Sequence, residues 1–293
     1  MDGPPERPWA VSHAALPTVS HAGEHGFDLY YSPRDGDGRA HIARARVDAD
    51  LHVAAIDVEP ALAPGRLGAF DDSGVTSSWI TSHAGREYLY YTGWTRGVSV
   101  PFYFYVGLAV SEDGGQTFER VSRAPVLERS DVDPFLTASP CVLVEDGRWR
   151  MWYVSCVGWA IEDAQPRHWY HVKYAESDDG VHWSRDGTVC IDFKDESEYA
   201  IARPCVVRDG DLYRMWFSAR GDAYRLGYAE SRDGISWERR DAEAGLKPAA
   251  AGPDSEMIAY PLVFDFKERR HMLYNGNGYG ATGIGHAVFE ERA

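Results

Sequence analysis

RPCVVRDGDLYRMWFSARGDAYRLGYAESRDGISW, Arg203 to Trp237, contains four short apolar runs separated by turn residues. Such runs, rich in β-branched and aromatic residues and broken by Asp-Gly, read as the strands of an antiparallel meander. The same phrase recurs along the chain. Its aromatic run RMWFS aligns with DLYYS, YLYYT, RMWYVS and HMLYN, whose second apolar residues are Leu29, Leu89, Met151, Met215 and Met272, spaced 60, 62, 64 and 57 apart. An earlier strand signal, at Pro17, Ser78, Pro140, Pro204 and Pro261, keeps nearly the same register, with spacings of 61, 62, 64 and 57. A third follows each aromatic run: HIARARV, VGLAVS, VKYAES, LGYAES and GIGHAV. Two independent features in one register make a repeat, and four strands per unit at this period indicate a propeller.

The expected fold is therefore all-β: a single-domain five-bladed β-propeller with four-stranded antiparallel blades. Its approximate boundaries within residues 1–293 are 10–69, 70–131, 132–196, 197–253 and 254–293. The last unit stops after its third strand, and the N-terminal residues are the segment available to complete it. A β-sandwich does not explain so regular a period, and two domains would break it.

Bulk composition narrows the partners. A formal charge of -15 argues against nucleic acid and anionic lipid, both of which need a basic surface. No apolar run reaches transmembrane length. The start, MDGPPERPWAVSHAAL, lacks the basic and apolar regions of a secretory signal. Cys141, Cys156, Cys190 and Cys205 sit in no zinc-binding spacing and read as buried free thiols. A cytoplasmic protein is expected, with a small-molecule or oligosaccharide substrate and no obligatory cofactor. The acids could take a divalent cation in the axial channel, but no ligand spacing specifies one.

Connections in a meander alternate faces, so the Asp-Gly turns all lie on one side. They read as hairpin staples: Gly supplies positive φ, and Ser or Asp bonds the turn backbone. SEDGGQTF, Ser111 to Phe118, also resembles the Asp-box of sialidase-type propellers, a structural turn remote from the active site. Chemistry is then expected on the opposite face.

There, four units place acids just before the first strand: Asp71 and Asp72, Asp131 and Asp133, Glu196 and Glu198, Asp254 and Glu256. Because four units repeat the choice, the set reads as a ring of carboxylates at the channel mouth. A close pair in a desolvated mouth would have separated pKa values, as glycoside cleavage requires. Acids each paired to an Arg would argue against that chemistry. Glu198 and Glu256 are the expected acid/base residues, with Asp72 and Asp133 in support and His171 as a base near neutral pH. Expected substrate-binding residues are Arg34, Trp94, Arg96, Ser139, Trp159, Lys173, Arg203, Arg220, Tyr260 and Asn275. Long loops at 92–103 and 155–169 would wall the pocket.

The five units, the acidic mouth and the blade phrase itself resemble the glycoside hydrolase clan of arabinanases, β-xylosidases, levansucrases and invertases, and most closely its uncharacterised bacterial glycosylase-like propellers. The likeness covers nearly the whole chain. It implies sugar handling, with an aspartate on the first blade, a carboxylate on the next and a glutamate acid. The chain departs from it: WAVSHAAL offers Ser12 and His13 where the first-blade aspartate would stand. The invertase WMNDPNG and RDP motifs are also absent, the latter position reading TASP. Three functions follow: a glycoside hydrolase-like enzyme, a non-hydrolytic cyclase, lyase or isomerase on the same scaffold, or a non-catalytic carbohydrate-binding propeller.

Overall fold

The computed structural model describes residues 7–290, which form a nearly all-β chain. Five antiparallel meanders follow one another. The first comprises β1 (Ser12–Gly23), β2 (Gly26–Arg34), β3 (Ala43–Asp48) and β4 (Val53–Ile56); the second comprises β5 (Gly74–His83), β6 (Arg86–Arg96), β7 (Phe102–Ser111) and β8 (Glu119–Arg120). The third runs β9 (Thr137–Glu145), β10 (Arg148–Glu162), β11 (Gln165–Ser177) and β12 (Val189–Ile191). The fourth runs β13 (Ala200–Asp209), β14 (Leu212–Arg220), β15 (Tyr224–Ser231) and β16 (Glu238–Arg239). One parallel bridge, Tyr170 to Ala200, joins these two into a continuous eight-stranded sheet.

The last meander has three strands, β17 (Ala259–Phe266), β18 (Arg269–Asn275) and β19 (Ile284–Val288). The described N-terminal residues do not complete it. Arg7 and Trp9 instead donate to the carbonyls of Ile56, Asp57 and Val58, beside β4 of the first meander. Residues 1–6 lie outside the described part.

The first strands touch in cyclic order: β1 packs on β5, β5 on β9, β9 on β13, β13 on β17, and β17 again on β1. Each junction is built from the repeated residues. The small polar residue ending the aromatic run caps a bulge in the next first strand. Ser32 Oγ accepts the Ser77 amide (3.0 Å), Thr92 Oγ1 that of Ser139 (2.9 Å) and Ser218 Oγ that of Tyr260 (2.7 Å). Asn275 Oδ1 accepts the Leu16 amide (2.9 Å), which joins the last meander to the first. Val154 holds the corresponding place in the third unit. The residue before each proline, Leu16, Ser139, Arg203 or Tyr260, has φ near +50° (54, 46, 55 and 56). L-residues rarely take that conformation and it costs on the order of 1 kcal/mol each, which the caps help offset.

The Asp-Gly turns form a second set of latches. Tyr30 OH donates to Gly115 O, Tyr90 OH to Gly180 O and Trp152 Nε1 to Gly234 O, each at 2.7 Å and each reaching the next meander's turn. The turn aromatics Phe118, Trp183 and Trp237 pack edge-on against those same three rings. The fourth equivalent donor, the buried Trp216 Nε1, has no acceptor among the described residues.

Within each turn the aspartate is tied down. At Asp113 burial pushes the carboxyl up, but bonds from Ser111, Thr117 and the Gln116 and Thr117 amides outweigh it and bring it to about 2. Asp233 likewise falls to about 2, burial being outweighed by the Ile235 and Ser236 amides and Ser231. Depressed carboxyls contribute stability above the free value of 3.8, and that stability is lost as pH falls through about 2. These side chains are exposed to solvent, so the contribution is modest. The double variant Asp113→Asn, Asp233→Asn should therefore lose stability between pH 4 and 2 less steeply than the parent, followed by thermal unfolding. Parallel curves would refute the assignment.

Candidate functional site

The recurring acids are brought to equivalent places, and three of them are engaged by arginine. Asp71, 1% exposed, meets Arg120 at 2.7 Å and accepts from Tyr91 OH. Asp133, wholly buried, meets Arg185 at 2.7 Å and Lys173 at 3.3 Å, and accepts from Tyr153 OH and Ser155 Oγ. Glu198 takes both guanidinium nitrogens of Arg239, at 2.8 and 2.9 Å. Asp254 accepts from Tyr274 OH at 2.8 Å.

The arginines come from the fourth strand or its approach in the same unit. They stand two residues after the turn aromatic: Phe118 and Arg120, Trp183 and Arg185, Trp237 and Arg239. The signal is thus an extension of the Asp-Gly motif, [FW]-x-R, visible only once the turns are aligned. The aromatic below each acid is also repeated. Tyr91, Phe217 and Tyr274 face Gly107, Gly227 and Gly285 on the neighbouring strand, where a Cβ would fall within 2.2 Å of the ring. In the third unit Lys173 faces Tyr153 in place of glycine, and its ammonium reaches Asp133 and the Val132 carbonyl.

Other expected residues are also occupied. Asp72 closes a turn, accepting from Gly68 N and Ser73 Oγ. His171 Nδ1 lies 3.1 Å from Asp192 Oδ1, and burial holds the ring below its ordinary value despite that carboxylate. Arg203 is fully buried, donating to Ser77 O, Pro17 O and Thr18 Oγ1. Asn275 is buried in the ring-closing cap, and Ser139 offers its amide to Thr92. Arg96 bonds Asp37 O, Trp94 packs against Gly74, and Arg34 is exposed. Glu256 is exposed, and among the described residues its carboxylate has no ion pair or hydrogen bond. The described residues contain no group of three His, Cys, Asp or Glu side chains placed to hold a metal.

What does assemble is aromatic. The loop expected at 155–169 is instead a hairpin extension, with Trp159 opposite His168 and Ile161 opposite Pro166. The 92–103 segment is likewise mostly strand, with Arg96 opposite Phe102. Both extensions carry rings side by side: Phe102 stacks on Phe104 (4.3 Å), Trp159 lies 4.8 Å from His168, and His168 stacks on Tyr170 (4.9 Å). Tyr170 and Tyr224 share a hydroxyl hydrogen bond, and Tyr224 meets Tyr260 at 5.4 Å. Arg220 lies over Tyr199, Tyr224 and Tyr279 at 5.3, 5.4 and 5.8 Å.

Of the expected residues, then, Trp159, Arg220 and Tyr260 fall in this aromatic assembly. Phe102, His168, Tyr199, Tyr224 and Tyr279 join them without having been anticipated. Burial, and then the Arg220 charge, bring His168 down to about 4, so the ring is neutral at physiological pH. Burial pushes the phenols of Tyr170, Tyr224 and Tyr260 well up. A separate apolar groove of about 360 Å³ lies between the first and last meanders, lined by residues such as Leu29, Val53, Leu273 and Ile284 and by no carboxylate.

Over 287 residues the chain is 43% identical to Uncharacterized protein MT1551 of Mycobacterium tuberculosis (strain CDC 1551 / Oshkosh), covering 97% of this chain and 95% of that protein. Uncharacterized protein Rv1502 of strain ATCC 25618 / H37Rv is 42% identical over the same length. The chain belongs to their family. No family model matches it. In structure, this member of the family is similar to a glycoside hydrolase at TM-score 0.72 and 18% identity, covering 99% of this chain and 92% of the other. It also matches a thermostable family-43 glycoside hydrolase (TM-score 0.71, 15% identity, covering 96% and 91%). A third match comes from work on the GH130 family of mannoside phosphorylases, which contains hydrolases targeting β-1,2 mannosidic linkages (TM-score 0.73, 14% identity, 97% and 86%). At such identities the likeness is one of fold.

Proposed function

We propose that the chain is a single-domain five-bladed β-propeller, its last blade three-stranded, that handles a carbohydrate at the aromatic mouth. The cyclic contact of the five first strands supports the blade count. The observation that carries the ligand reading is the gathering of Trp159, His168, Tyr170, Tyr199 and Tyr279 about the buried Tyr224 on a glycosidase-type fold. Aromatic faces pack on the C–H faces of sugar rings, and phenols and imidazole serve the hydroxyls. Trp159, Arg220 and Tyr260 keep their proposed binding roles.

The two-carboxylate mechanism of glycoside hydrolysis finds little support in this geometry. Asp133 and Glu198 are held by cations, His171 faces Asp192, and Asp72 closes a turn. A carboxylate whose oxygens are committed to a guanidinium is not free to reach a glycosidic oxygen. Glu256 is the carboxylate proposed for proton transfer, since it alone of the expected catalytic set is uncommitted. This favours a non-hydrolytic transformation of a sugar-containing metabolite, or binding without turnover, over hydrolysis. The proposal keeps a cytoplasmic location, resting on four free and buried thiols.

A panel of aryl glycosides should show no turnover above background, while neutral oligosaccharides should quench tryptophan fluorescence saturably. Trp159→Ala should weaken that binding by about tenfold or more, as loss of a stacking aromatic does. Hydrolysis of any aryl glycoside that disappears in Glu198→Gln would restore the carboxylate mechanism. Binding unmoved by Trp159→Ala would displace the mouth.

A further inference from the structure

Among the described residues, the arginines that are not exposed meet an acceptor. Arg44, Arg120, Arg150, Arg185, Arg239 and Arg270 each meet a carboxylate, and the buried Arg203 meets two carbonyls and a hydroxyl. Arg220 is the exception. Among the described residues it is the one arginine not exposed whose guanidinium has neither an ion pair nor a hydrogen bond. Acids outnumber Lys and Arg by 45 to 30, so a carboxylate partner was readily available. Asp222, two residues on, is exposed and makes no ion pair with it.

Three tyrosine rings surround the guanidinium, and cation–π contact satisfies its charge but none of its five N–H donors. None of its nitrogens is a sealed, partnerless atom of the kind found at Arg203 Nε or Arg239 Nε, so the donors are open to a ligand. The position is also preorganised. Arg220 ends β14 paired with Ala200, and its carbonyl accepts the Tyr199 amide at 3.0 Å. Tyr279 is fixed through its own carbonyl by the buried Asn275 side chain at 2.9 Å. The neighbouring His168 is neutral, and Arg167, which lies over the other side of this assembly at 4.1 Å from the Tyr199 ring, is paired with Glu162 at 2.6 Å, which leaves Arg220 the uncommitted cation here.

We infer that the ligand of the aromatic mouth carries an oxyanion, a carboxylate or a phosphate, and that Arg220 is the residue that holds it. This rests on the mouth being the carbohydrate site, and it narrows the substrate class to acidic or phosphorylated sugars. A planar guanidinium offers such a group two parallel charge-assisted bonds, while the stacked rings receive the sugar face.

Calorimetric titration with glucuronate, glucose 1-phosphate, methyl glucoside and inorganic phosphate, on the parent and on Arg220→Met and Arg220→Lys, tests this. At least one anionic sugar should bind about tenfold or more tighter than methyl glucoside. Arg220→Met should weaken that binding roughly 10- to 100-fold, and Arg220→Lys should recover part of it. A response to glucuronate alone selects the carboxylate; a response to glucose 1-phosphate and phosphate selects the phosphate. Methyl glucoside binding as tightly as either acid, unchanged in Arg220→Met, would overturn the oxyanion and keep the carbohydrate reading. Phosphate binding that Arg220→Met abolishes, with no sugar bound, would keep the oxyanion and overturn the carbohydrate. Silence to all four probes would overturn the oxyanion, and the carbohydrate reading falls with it if neutral oligosaccharides also fail to quench tryptophan fluorescence. Should Arg220→Met fail to fold, the Arg220→Lys titration decides alone, since a point charge without the fork must still bind the anion more weakly.

Discussion

Asp133→Ala should destabilise the protein by about 3–5 kcal/mol, the range seen when one member of a buried ion cluster is removed. Asp133 is wholly buried, and its partners Lys173 and Arg185 have side chains only 9% and 8% exposed. Removing the carboxylate leaves two cations facing each other in a desolvated site, with Tyr153 OH and Ser155 Oγ losing their acceptor. Asp133→Asn keeps the volume but not the charge, and should still cost more than about 2 kcal/mol. Urea unfolding checks both, read as a lower midpoint at unchanged slope. A loss under 1 kcal/mol would refute the structural role and return Asp133 to the catalytic set.

The second large effect is expected at Arg203. This side chain leaves the fourth meander and ends on Pro17 and Thr18 of the first and Ser77 of the second, so it crosses the middle of the ring. Burial draws its pKa down to about 10, still high enough for a full charge at neutral pH. Arg203→Ala should cost about 3–5 kcal/mol, because it opens a cavity and strips two carbonyls and a hydroxyl of their donor. Arg203→Met refills much of the space and relieves the buried charge, and should be milder by roughly 1–2 kcal/mol. Equal losses in the two variants would mean that the polar contacts, and not the volume, dominate. No measurable loss in Arg203→Ala, in the same urea titration, would refute the axial role and leave Arg203 available to a ligand.

The strand order was legible because every unit repeats its register. Recurrence alone does not separate two readings of the acids: a reaction needs each of its groups once, whereas a staple is needed at every joint. Asp71, Asp133 and Glu198 recur because each is paired with its own arginine. The aromatic assembly is partly written in the repeat as well: Phe102 and His168 hold the same place ahead of Ser111 and Ser177, and Phe104, Tyr170 and Tyr224 share another ahead of Ser111, Ser177 and Ser231. What the repeat does not show is that strands so distant in sequence meet, bringing Tyr199 and Tyr279 to Arg220. Arg220 was visible as a residue of the right type, but its freedom from any acceptor is a property of the folded chain alone.

The turn latches also run one way. Tyr30, Tyr90 and Trp152 each fasten their own meander to its successor, whereas Trp216 Nε1 has no acceptor among the described residues. The joint between the fourth and fifth meanders therefore relies on other fastenings: the Ser218 cap on Tyr260 and the two bonds from Arg270 to Asp209, which cross it where no turn latch does.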